Sequence, residues 1–131
     1  CEWDLRRGKR PGEKIPDGLI TLAEGINIAL EMETRYKTLG ILKTFIKRYR
    51  YDIEKISRYS CLLVVASSRF NYEGLRMRLY NIAPEFCSQY VILADLVMLE
   101  LGMCYYHGKL VHLEDAVKLL KEGVQNHGQT A

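Results

Sequence analysis

Between residues 41 and 73 the chain carries neither Gly nor Pro, and its apolar residues recur in alternating three- and four-residue steps. Leu39, Leu42, Ile46, Tyr49, Ile53, Ile56 and Leu63, with Ser60 in the one polar slot, form a heptad-like seam. The pattern predicts one or two long helices. A break is expected near Tyr51 and Asp52, with Asp52 as an N-cap, because a helix of about 30 residues is long for a small domain. Cys61 to Ala66 also fits a buried strand, since Leu-Leu-Val-Val is β-friendly. With no second strand segment evident to pair with it, a lone strand would leave its backbone groups unsatisfied, which favours helix.

The same spacing recurs on either side. After the turn residues Pro16-Asp17-Gly18, the positions Leu19, Leu22, Ala23, Ile26 and Leu30 fall on one helical stripe. Glu31 with Arg35 and Glu33 with Lys37 then read as i,i+4 pairs on the outer face, and Gly40 as the stop. Asn71 to Ile82 reads as a shorter helix ended at Ala83-Pro84. Phe86, Tyr90, Leu93, Ala94, Val97, Leu101 and Cys104 mark a central helix over residues 85–107, stopped by Gly108. Leu113, Ala116, Val117, Leu120 and Val124 mark the last one. The predicted fold class is all-α, about six helices in antiparallel hairpins, as a bundle or a short solenoid. Residues 1–17 are expected to be a basic flexible arm, 18–126 a single domain and 127–131 a frayed tail.

One segment carries a family likeness. Leu101-Gly102, Tyr105, Gly108, Ala116, Leu120 and Gly123, within residues 91–126, resemble a tetratricopeptide or Sel1-like helical repeat. The resemblance implies a helix pair packed through small residues, with Leu101 and Tyr105 in the core against Ala116 and Leu120. It also implies a scaffold for other proteins.

Composition and charge narrow this only modestly. A chain of 131 residues, 48% hydrophobic and 27% charged, is long enough for one self-sufficient core. Net charge is +3, unevenly placed: residues 1–58 hold 13 Lys and Arg against 9 Asp and Glu, residues 59–131 hold 6 against 7. The basic half permits an anionic partner without requiring one. Cys1, Cys61, Cys87 and Cys104 have no short paired spacing and read as free thiols, which favours a reducing intracellular compartment, cytoplasm or nucleus. The longest apolar stretch, Tyr90 to Tyr106, is broken by Asp95 and Glu100, so no membrane span is expected. A start at Cys1 without Met suggests a domain excised from a longer protein.

The candidate binding chemistry is cationic. Arg6, Arg7, Lys9 and Arg10 lie in the arm, and Lys43, Lys47, Arg48, Arg50 and Arg58 lie opposite the apolar seam, with Tyr51 among them. Lys and Arg neutralise phosphates and aromatic rings stack on bases, so these ten residues are the candidate partner- or phosphate-binding set. Cys104-x-x-His107 with His112 falls short of a zinc site, which needs four ligands. No Gly-rich phosphate loop, nucleophile elbow or His-Glu-x-x-His motif is present, so no catalytic residue, metal or cofactor is expected. The leading expectation is a non-catalytic protein-interaction or assembly module within a larger protein, binding another protein or a second copy of itself. The alternative is an RNA- or single-stranded-DNA-binding domain using the basic arm and residues 43–58.

Overall fold

The structure, a computed structural model, describes the backbone of residues 15–130. It is a mixed α/β fold built on one six-stranded sheet with strand order β1-β2-β3-β4-β5-β6. Gly18–Leu22 (β1) turns through Ala23–Gly25 into Ile26–Glu33 (β2), and Leu39–Arg50 forms α1, extended by a π-helical turn at Tyr51–Lys55. Cys61–Ala66 (β3) leads into Arg69–Ile82 (α2) and Pro84–Tyr90 (α3), then Val91–Asp95 (β4) and Leu96–Glu100 (α4). The hairpin Met103–Tyr106 (β5) and Lys109–His112 (β6) precedes Leu113–Thr130 (α5). β2, β3 and β4 are parallel, while β1, β5 and β6 add antiparallel pairs at the two sides.

This overturns the all-α expectation, the helical-repeat reading and the count of six helices. The physical reason lies at Cys61 to Ala66, where strand partners come from distant parts of the chain. That segment is β3, and it has two partners: Ala29 pairs with Leu62 and Leu62 with Val91. Parallel strands covered on both faces read as unbroken apolar runs, so Val91 to Ala94 passed for helix inside residues 85–107. The stripe from Leu19 to Leu30 is likewise a hairpin, turned at Gly25 with φ +75°. His107 and Gly108, both at positive φ, make the two-residue turn between β5 and β6.

The tetratricopeptide or Sel1-like likeness fails with it. Leu101 is 72% exposed, just past α4, and Tyr105 lies on β5 with its ring 5.3 Å edge-on from that of Tyr80. Ala116 and Leu120 are buried, but on a helix that packs against β5, β6 and β2. The seam at residues 42–53 does lie on a helical segment, with Leu42, Ile46, Tyr49 and Ile53 buried and Leu39 and Ile56 exposed. Thr38 caps α1 through its hydroxyl, and Ser68 caps α2.

Strand register fixes which side chains share a face. Asn27, Ala29, Glu31 and Glu33 alternate on one side of β2, and the register sets Glu31 beside Val64 and Glu33 beside Ala66. Ala66 in turn stands beside Asp95 on β4. Tyr49 of α1 bonds to Glu31 and Tyr80 of α2 meets Tyr105, so both helices cover this face. Among the described residues no helix is long and apolar enough to cross a membrane.

Candidate functional site

Among the described residues, four acidic ones are buried: Glu31, Glu33, Asp52 and Asp95. Three of them stand on the helix-covered face near the C-terminal ends of the parallel strands, the edge where open α/β sheets bind ligands. Glu31, 2% exposed, accepts a hydrogen bond from the Tyr49 hydroxyl. Burial, and then the bond to Glu31, push the Tyr49 hydroxyl far above the usual phenol range, which keeps it a donor. Asp17 precedes β1, whose Gly18 pairs with Leu30, so Asp17 falls opposite Glu31. It accepts a 2.8 Å hydrogen bond from the Met32 amide and lies close enough to Tyr49 to act on its hydroxyl.

Glu33, two residues beyond Glu31, meets Lys37 at 2.9 Å. Lys37 also sits 5.1 Å from the centroid of Phe45. The segment between β2 and α1 is pinned from α2, where Arg78 donates to the Lys37 carbonyl and, through Nε, to the Gly74 carbonyl at 3.2 Å. The Arg78 guanidinium lies 4.3 Å from the Tyr36 ring centroid. Glu33, Tyr36, Lys37, Asn71, Leu75 and Arg78 line a shallow pocket at this point. On the far side of Ala66, Asp95 uses Oδ1 to cap α4 at the Met98 amide, 2.7 Å away. Its buried Oδ2 accepts no hydrogen bond and faces the Arg69 guanidinium at 4.0 Å.

The residues expected from the sequence fall elsewhere. Arg6, Arg7, Lys9 and Arg10 lie outside the described residues. Lys43, Lys47, Arg48 and Arg50 are exposed on α1, Tyr51 is exposed at the π-helical turn and Arg58 is half-buried beyond it. Arg50 pairs with Glu54 at 3.2 Å and lies 5.7 Å from the Phe86 ring centroid, so part of its charge is used internally. Lys43, Lys47, Arg48 and Arg50 form a basic strip on the exposed side of α1.

Asp17, Glu31, Glu33, Lys37 and Tyr49 were not nominated by sequence because a helical reading of residues 19–38 put both glutamates on a solvated face. The available signal was Glu-x-Glu at the end of the alternating run Ile26 to Glu33. The pair of Glu33 with Lys37 does form, from a strand end rather than along a helix.

Cys61, Cys87 and Cys104 are free and buried. Burial pushes their thiols up, to about 12 for Cys61 and Cys87 and about 11 for Cys104. Among the described residues no group of three His, Cys, Asp or Glu is arranged to hold a metal ion.

No protein-family model matches this chain, and neither a curated protein nor a solved structure does.

Proposed function

We propose that this domain binds nucleic acid and acts on its phosphodiester backbone at the cluster of Asp17, Glu31, Glu33 and Lys37. The observation that carries the reading is the placement of these carboxylates on one sheet face with a lysine among them. Acidic side chains buried near one another cost folding free energy, and such arrangements concentrate at functional sites. The basic outer face of α1, with Lys43, Lys47 and Arg48, supplies the complementary surface for a phosphate chain.

Carboxylates repel phosphate unless a cation bridges them. Mg²⁺ is the cation this would call for: no three carboxylates among the described residues are arranged to hold a metal ion, and Mg²⁺ needs only one or two, with waters and substrate phosphates completing its shell. Asp17 and Glu33 are the ligands expected: Asp17 is exposed, and each commits one oxygen to a protein partner, Met32 or Lys37. The cation would polarise a phosphoryl oxygen and acidify a bound water. Lys37 would stabilise negative charge building on the phosphate, and Tyr49 would hold Glu31 in place. Hydrolysis of a phosphodiester bond is the reaction these residues fit.

Fluorescence anisotropy of labelled oligonucleotides tests the reading. Affinity should rise when Mg²⁺ is added and fall steeply with monovalent salt, and Glu33→Gln should lose the Mg²⁺-dependent increment. Binding indifferent to Mg²⁺, or no binding to any oligonucleotide, would overturn it. A second reading, the protein-interaction module, is favoured by the exposed apolar residues Leu96, Val97 and Leu101 around α4 and Leu110 on β6. A protein complex insensitive to salt, with no oligonucleotide binding, would support that reading instead.

A further inference from the structure

Tyr36 stands directly before Lys37 and is 73% exposed. A ring so open to water contributes little to the core, yet it is not loose. The Arg78 guanidinium is stacked 4.3 Å from its centroid, and Arg78 is itself anchored to the carbonyls of Gly74 and Lys37. One face of the ring is therefore held and the ring remains largely free to meet a ligand. The pocket that Tyr36 shares with Glu33, Lys37 and Asn71 brings it to the carboxylate cluster. Phe70, 86% exposed, precedes the pocket-lining Asn71 in the first turn of α2. Arg35 lines the same pocket, and Arg69, which faces Glu73 at 3.7 Å and Asp95 at 4.0 Å, precedes Phe70.

From this juxtaposition of two exposed aromatic rings, Tyr36 held by Arg78 and Phe70 open, with cations beside the carboxylates, we propose that Tyr36 and Phe70 are stacking platforms for unpaired bases, so that the ligand is single-stranded nucleic acid. The inference rests on the phosphodiester reading and narrows its substrate class. Base on aromatic stacking is sequence-tolerant, because every base has a π-face, and needs the bases splayed from a duplex. Guanidinium backing pre-organises Tyr36, so little ordering remains to be done on binding.

The test compares a labelled single strand, its duplex and a strand of equal length bearing abasic positions. The parent should bind the single strand most tightly and the abasic strand more weakly. Tyr36→Ala should weaken single-strand binding roughly five- to a hundredfold and leave duplex binding unchanged, while Tyr36→Phe retains it. Phe70→Ala should weaken the same ligand selectively. Both side chains are exposed, and an unchanged circular-dichroism spectrum would confirm that the variants fold. Equal affinity for single strand and duplex, or a Tyr36→Ala variant matching the parent, would overturn the inference while Mg²⁺-dependent binding kept the phosphodiester reading. Failure of the parent to bind any oligonucleotide would remove both.

Discussion

Tyr49→Phe isolates the contact that anchors the carboxylate cluster. Tyr49 is fully buried, and its ring packs 5.1 Å edge-on from Phe45 and 6.1 Å from Tyr59. Phenylalanine keeps the ring and those contacts, so the change removes one hydroxyl and its hydrogen bond to Glu31 at a site almost closed to water. Hydrogen bonds to charged groups are worth about 1.5–3 kcal/mol, and the loss in urea-unfolding stability should fall in that range with an unchanged slope. Glu31→Gln removes the charge that strengthens the bond. Combined with Tyr49→Phe it should therefore cost less than the two losses added together. A Tyr49→Phe loss under about 0.5 kcal/mol, the size of an ordinary surface change, would show that Glu31 is held by other groups and that Tyr49 does not position it.

Leu62→Ala, at a fully buried position of β3, should cost about 2–5 kcal/mol, whereas Leu101→Ala should stay within about 0.5 kcal/mol by the same unfolding assay. The buried thiols make the fold sensitive to alkali. An ordinary thiol titrates near 9.0, and burial raises Cys61 and Cys87 to about 12 and Cys104 to about 11. Their stabilising contribution is whole below pH 9.0 and is lost as pH rises towards those folded values, which a pH series of urea midpoints would show. Replacing Lys43, Lys47 and Arg50 with Glu should leave circular dichroism unchanged and flatten the salt dependence of oligonucleotide binding; an unchanged slope would remove α1 from the interface.

The helix at Leu39–Arg50 was legible because only one of its faces is buried, so the apolar period survives in the sequence. The sheet was not. β3 and β4 are buried throughout apart from the half-buried Leu63, and β2 places glutamates where a half-buried strand would place apolar residues. β3 and β4 do not alternate, and each strand looks unpaired until the others are known. The basic surface could be read from charge alone. The carboxylate cluster could not, since Asp17 meets Glu31 only through the register of β1 on β2, and Tyr49 reaches it from another helix. Long-range pairing made this site, and Glu31-Met32-Glu33 at the end of β2 is only a faint local trace of it.

If Asp17, Glu31, Glu33 and Lys37 together act on a phosphodiester, the domain should cut nucleic acid. The most direct measurement is cleavage of an end-labelled single strand by the purified domain, with Mg²⁺ or Mn²⁺ and with chelator, alongside Glu33→Gln and Lys37→Ala. Cation-dependent cleavage by the parent is expected, none with chelator, and loss of cleavage in both variants while each still folds. A parent that binds the strand but leaves it intact with either cation, or variants that cleave as the parent does, would contradict it.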